Sequence, residues 1–176
     1  MMEKKANIGC GFDIKKGWAN FDMSMNTDMI TSSETTEVWD ITTCPDKREH
    51  SLTEQFEFIL VNHVLCTMHE YLVHQALINL HRCLKPGGVL QVIDMDLLKV
   101  FKSYQDGRYE DIPIEEGSPD AKLCNAISGY STRNSLYTPN RMKEVLVEAG
   151  FREVRVLDSS EHDTRPKESL IVEAIK

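Results

Sequence analysis

The chain has 176 residues, 41% of them hydrophobic and 27% charged, with a formal net charge of −8. This length suits one domain, residues 1–176, with a real core. The acidic balance speaks against a broad surface for nucleic acid or anionic membrane, since phosphate binding needs clustered Lys and Arg; a local basic groove stays open.

Residues 6–9 read as a short first strand, closed by Gly9-Cys10-Gly11. Two glycines around one residue make a tight turn that lets backbone approach a ligand. Residues 19–23 read as a second strand carrying Asp22 near its end, where an acidic side chain can accept hydrogen bonds from ribose hydroxyls. Only nine residues, 10–18, join these strands, too few for a helical crossover of a dozen or more. The first helix is therefore expected to shrink to a turn or loop. Residues 36–40 read as a third strand. Ser51 with Glu54 forms a capping-box pattern that predicts a helix start.

The apolar run at 57–62 predicts a central parallel strand, buried on both faces. Val73, Ala76, Leu77, Leu80 and Leu84 then recur at helical spacing. That helix stops at Lys85-Pro86-Gly87-Gly88, and residues 89–94 follow as another buried strand. The polar, turn-rich stretch "KSYQDGRYEDIPIEEGSPDAK" opens a region, 103–136, expected to form a substrate or lid loop, with Tyr104, Tyr109, Asp111, Tyr130 and Tyr137 as candidate lid residues. Thr138 reads as an N-cap with Pro139 at the first helical position; Met142, Val145, Leu146 and Ala149 form the stripe, and Gly150 ends the helix. Residues 152–158 and 169–175 are strands that can pair as a long antiparallel hairpin. Strand and helix alternation predicts an α/β fold with an open, doubly wound, mostly parallel sheet, whose ligands sit beyond the carboxyl ends of the strands.

In order, "NIGCG…GWANFD", "DIT", "ILVNHVL" and "LHRCLKPGGVLQVIDMD" resemble small class I S-adenosylmethionine-dependent methyltransferases of the type 11 kind. The resemblance covers residues 6–96 well and continues more loosely to the end. It implies a Rossmann-like seven-stranded sheet, S-adenosyl-L-methionine as cofactor and a small-molecule, sugar or lipid-linked methyl acceptor. On matching positions, Gly9, Cys10 and Gly11 flank the cofactor's methionine portion. Asp22 takes the ribose hydroxyls, Met23 packs on adenine, and Asp40 with Ile41 meets the adenine ring. Asn62 and His63 flank the sulfonium and the substrate. Asn7 stands where an acidic residue is usual, and Cys66-Thr67 replace a usual Glu-His.

Methyl transfer needs donor and acceptor held close and aligned more than it needs a fixed catalytic pair. His63 is the best base candidate, because histidine titrates near neutral pH, though a histidine so placed is more often a hydrogen-bonded structural one. Asp94 and Asp96 are second candidates or solvated strand-end carboxylates. His63, Cys66, His69 and His74 lack the spacing of a structural zinc site, so no metal is expected. The alternative function is a methyltransferase-like binding subunit without independent catalysis, completed by a protein partner or a second copy. A nicotinamide enzyme is disfavoured, because the third glycine of G-x-G-x-x-G is missing. No apolar run approaches the ~20 residues of a membrane span. The N-terminus lacks a secretory apolar segment, and five cysteines without a CxxC pair point to a reducing, cytoplasmic setting.

Overall fold

The structure is a computed structural model and describes residues 4–23, 36–47, 50–112, 114, 117–128, 134–158 and 167–176. Seven strands form one sheet: β1 (Lys5–Ile8), β2 (Ala19–Asp22), β3 (Thr36–Val38), β4 (Phe56–Asn62), β5 (Leu84–Met95), β6 (Arg152–Leu157) and β7 (Ser169–Ile175). Their order across the sheet is β3-β2-β1-β4-β5-β7-β6. β1 to β5 pair in parallel, while β7 runs antiparallel to both β5 and β6. The predicted terminal hairpin therefore forms, and its second strand slots beside β5.

The helices are α1 (Glu70–Cys83), α2 (Leu97–Gln105), α3 (Pro119–Ser128) and α4 (Pro139–Glu148). α1 buries Val73, Ala76, Leu77 and Leu80, and α4 buries Met142, Val145 and Leu146. Both stripes join one core with Ile59 and Val61 of β4, Leu90 and Val92 of β5, and Val172 of β7. Side chains alternate across a strand, so Leu60, Ile93 and Ile171 face the other way. There they form a much smaller cluster with half-buried Trp18, Phe58 and Leu157.

The antiparallel β7 makes this Rossmann-like sheet mixed, and its second face is thinly covered, so it is not strictly doubly wound. Residues 10–18 form turns, as their length requires, and lay Trp18 where a helix would pack. Two buried asparagines hold this loop. Asn7 and Asn20 are register partners on β1 and β2. Asn20 Oδ1 accepts from Asn7 Nδ2 at 3.2 Å and from the Lys15 amide at 2.9 Å. Asn20 Nδ2 donates to the carbonyls of Lys15 (3.0 Å) and Trp18 (3.1 Å), and Asn7 Nδ2 also donates to the Asp13 carbonyl at 2.7 Å. Buried polar groups left without partners cost about 1–3 kcal/mol each. Asn20→Ala is thus expected to destabilise the chain by about 2–4 kcal/mol, read as a lower urea midpoint at unchanged slope. An unchanged midpoint would rule out the clamp.

Several sequence expectations are corrected. The third strand ends at Val38, and Asp40 begins a turn. Ser51 and Glu54 start no helix: Ser51 donates to Asp46 and accepts from the Thr53 amide at 3.2 Å, while Glu54 takes a φ of +53° and its amide donates to the Arg82 carbonyl. β4 begins two residues later, which leaves no length for a helix. Leu84 starts β5 rather than ending α1. The 103–136 region is substantially helical. α3 opens on Ser118-Pro119, the same start signal as Thr138-Pro139, with Ser118 Oγ accepting from the Ala121 amide. α2 opens on Asp96, whose side chain accepts from the Leu98 and Lys99 amides. That role commits Asp96 to capping.

No helix among the described residues is long and apolar enough to cross a membrane.

Candidate functional site

The carboxyl ends of β1, β2, β3 and β4 converge around an open cavity of about 610 Å³, within the range of small-ligand sites. The position follows from topology. β1 is flanked by β2 on one side and β4 on the other, so the connections leave in opposite directions and part the loops above it.

Gly9 and Ile8 supply the β1 wall, Asp22 and Met23 the β2 wall, and Trp39 to Thr42 the β3 wall. Asn62, His63 and Val64 close it from β4, with Thr67, Met68, His69 and Leu72 from the turn and helix beyond. The sequence-derived residues Gly9, Asp22, Met23, Asp40, Ile41, Asn62 and His63 are therefore brought together. Cys10 and Gly11 are not part of this wall. The Cys10 side chain is buried 3.7 Å from Thr36 Oγ1. Burial pushes its thiol above the usual cysteine value, only partly offset by the Thr36 hydrogen bond. Gly11 contributes through its backbone, donating to Asp22 Oδ2 at 2.9 Å.

Asp22 is the hinge of this geometry. Oδ2 holds the Gly11 amide, and Oδ1 accepts from the Met23 amide at 2.7 Å. One carboxylate thus ties the turn after β1 to the end of β2. Gly9 takes φ +64°, and a Cβ built there would lie 2.1 Å from Val64 Cγ2; the glycine is needed for closeness as well as for conformation. Asp40 organises its own turn, Oδ1 accepting from the Thr42 amide (2.9 Å) and hydroxyl (2.7 Å). Trp39 packs edge-on against Phe21 with ring centroids 5.6 Å apart, which anchors that wall to the core.

His63 has a φ of +54°, uncommon for a side chain other than glycine. Its amide donates to the Ile93 carbonyl at 2.8 Å, so β5 sets the residue's position. Its Nδ1 stands 3.7 Å from Oδ1 of Asp94. Asp94 is 2% exposed, and it accepts from the Met95 amide at 2.7 Å and the Cys66 amide at 3.2 Å. The Cys66 thiol in turn donates to the His63 carbonyl.

Trp39, Val64, Met68 and Leu72 are wall residues that sequence reasoning missed. They are ordinary apolar residues, and only the tertiary fold turns them toward a cavity. Among the described residues, none of the tyrosines singled out earlier borders it. Tyr104 and Tyr109 pack on each other and Tyr104 donates to Asp120. Tyr137 is buried, Asp111 pairs with Arg108 and Lys167, and Tyr130 lies outside the described residues.

No protein family model matches the sequence, and no curated protein matches it. Solved structures do. An S-adenosylmethionine-dependent methyltransferase from Archaeoglobus fulgidus shares 12% identity over 99% of this chain and 86% of its own, with a TM-score of 0.62. A Thermotoga maritima S-adenosylmethionine-dependent methyltransferase shares 18% over 100% and 83%, with a TM-score of 0.63. Human N-acetylserotonin methyltransferase, solved with S-adenosylmethionine, shares 16% over 99% and 47%, with a TM-score of 0.64. The chain spans less than half of that human enzyme and 46% of the citrinin polyketide synthase methyltransferase-domain structure it also resembles. At such identities the likeness is one of fold.

Proposed function

We propose that this chain, which has the class I S-adenosylmethionine-dependent methyltransferase fold, binds S-adenosyl-L-methionine in the cavity above β1 and moves its methyl group to a small-molecule, sugar or lipid-linked acceptor. The observation that carries the proposal is the convergence of Gly9, Asp22, Asp40, Ile41, Asn62 and His63 on one 610 Å³ cavity at the switch point of that fold. The donor set fits the cofactor. Two carboxylates suit a cationic molecule bearing ribose hydroxyls, and Ile41, Met23 and Leu72 offer apolar flanks for a flat base.

When bound, the cofactor supplies an activated methyl group on a sulfonium. In this reading Asp22 accepts the ribose hydroxyls, while Met23 and Ile41 flank the adenine beside Asp40. Gly9 lies along the methionine portion, with Cys10 and Gly11 in the turn behind it, and Asn62 lies beside the sulfur. Alignment of donor and acceptor can lower such a barrier by ~7–11 kcal/mol. His63 is the wall residue with a buried carboxylate behind it, placed to take a proton from a protic acceptor. The carboxylates and the net charge of −8 disfavour a nucleic acid.

Calorimetric titration with S-adenosylmethionine and S-adenosylhomocysteine is the test. Saturable heat at micromolar ligand is expected; no heat from either at high micromolar concentration removes the proposal. A second reading, a methyltransferase-like subunit completed by a partner chain, is favoured by Phe12 and Met23, which stand 86% and 74% exposed on the two loops that Asp22 joins. Turnover of an acceptor by the isolated chain would exclude it.

A further inference from the structure

We propose that His63, Cys66 and Asp94 form a binding site for a divalent transition-metal ion, with Zn²⁺ the best match, at the β4–β5 edge of the cavity. One ligand atom from each of the three residues lies within 4.8 Å of the other two. His63 closes β4, Cys66 sits three residues on in the 3₁₀ turn Leu65–Thr67, and Asp94 is near the end of the adjacent strand β5. Sequence spacing hides the set, because Asp94 reaches it only through the β4–β5 pairing.

The distances suit a metal better than a hydrogen bond. His63 Nδ1 and Asp94 Oδ1 are 3.7 Å apart, beyond hydrogen-bonding range. Two ligands on a tetrahedral zinc at ~2.0–2.1 Å stand roughly 3.4 Å from each other. The His63–Asp94 pair needs to close by only a few tenths of an ångström, and the Cys66 thiol, within 4.8 Å of both, must swing in to complete the site. Imidazole, thiolate and carboxylate are the donors zinc takes. Both Asp94 oxygens are already oriented by backbone amides, Oδ1 by Met95 and Oδ2 by Cys66, the kind of support that fixes metal ligands. A thiolate and a carboxylate together balance a divalent cation, so the complex is neutral, as burial of Cys66 and Asp94 demands. The left-handed backbone at His63 is strain of the sort that collects at functional positions.

Binding breaks the Cys66 S–H bond. The proton goes to solvent and the sulfur electron pair to the metal. Three protein ligands leave a coordination position for another molecule, the pattern of catalytic rather than structural zinc. His63 borders the cavity, so that molecule arrives from there. The acceptor class this favours is a thiol or hydroxyl whose heteroatom binds the metal and loses its proton more easily. In the metal-loaded state the His63 ring serves as a ligand and no longer as the base. This consequence rests on the methyl-transfer reading; the site itself does not.

The test uses the full chain, stripped with chelator and titrated with Co²⁺ and then Zn²⁺. The expected result is one equivalent of cobalt, with tetrahedral d–d absorption and a thiolate-to-cobalt charge-transfer band that zinc displaces. Cys66→Ser abolishes the band, whereas Cys44→Ser with Cys124→Ser leaves it, which separates the site from the more accessible thiols. His63→Asn lowers cobalt affinity by roughly a hundredfold or more. The His63 side chain is 43% exposed, and asparagine tolerates the same backbone region, so this variant is expected to fold, as its thermal unfolding will show. No charge-transfer band, a band surviving in Cys66→Ser, or unchanged affinity in His63→Asn overturns the site. Calorimetry with S-adenosylmethionine on the metal-free protein keeps the two proposals apart. Cofactor heat without a cobalt band removes only the metal site, and a cobalt band without cofactor heat removes only the cofactor reading.

Discussion

Asp22→Ala is expected to weaken S-adenosylmethionine binding by several hundredfold or more. A hydrogen bond to a charged group contributes about 1.5–3 kcal/mol. If Asp22 takes the ribose as proposed, two hydroxyls on one carboxylate would contribute roughly 3–5 kcal/mol, where each 1.4 kcal/mol is tenfold in affinity. The substitution also has a folding component. It strips the Gly11 and Met23 amides of their acceptor and loosens the turn that borders the cavity, at about 1–3 kcal/mol of stability. Asp22→Asn separates the two effects. It keeps the shape and one acceptor oxygen but loses the charge, so its affinity should fall about tenfold to fiftyfold with a smaller change in melting temperature. Calorimetry and thermal unfolding, measured together, decide the matter. Wild-type affinity in both variants would mean that the carboxylate only braces the turn.

Gly9→Ala should be the most damaging single-methyl change in the chain, for two separable reasons. The backbone there sits at φ +64°, which costs a side-chain-bearing residue about 1–2 kcal/mol. The new Cβ would also stand 2.1 Å from Val64 Cγ2, a distance no pair of carbons accepts, so Val64 must leave its rotamer or β1 and the β4 turn must part. Overpacking of this kind costs about 1–3 kcal/mol. A total near 2–5 kcal/mol is a large share of the stability of a small domain. The geometry supplies its own control. In Val64→Ala the nearest atom of residue 64 to that Cβ is its own Cβ, at an ordinary 3.5 Å. Relative to Val64→Ala alone, the double variant should lose the overpacking component and show only the backbone strain. Additive losses would show that Val64 is not what Gly9 makes room for. By contrast, Gly11 meets nothing within 4 Å of its would-be Cβ, so Gly11→Ala pays only for its φ of +46°.

Much of the fold could be read from local pattern. The α1 and α4 stripes, the Thr138-Pro139 start, the buried run of β4 and the terminal hairpin all follow from periodicity and capping, which act within a few residues. The shortage of chain between β1 and β2 was equally readable, since ten residues or fewer cannot make a helical crossover. Where local signals failed, longer-range demands had won. The Ser51–Glu54 pattern meets the requirements of a helix cap, but β4 must begin at Phe56 to pair with β1 and β5. α2 and α3 went unread because each buries very little: Val100 and Ser103 in one, Ala126 in the other.

By itself the sequence determined the succession of strands, the two helices α1 and α4, the glycine turn, and the residues at strand ends, because these depend on neighbours along the chain. Only the tertiary structure decided which strand ends meet. It set Gly9 against Val64, Asp22 under the Gly11 amide, and Asp94 behind His63 and Cys66. It also turned Asn7 away from the cavity into a clamp with Asn20. The physical reason is the sheet order, which places β1 between β2 and β4 and β5 next to β4. Such pairings join residues far apart in the chain, and no local period encodes them.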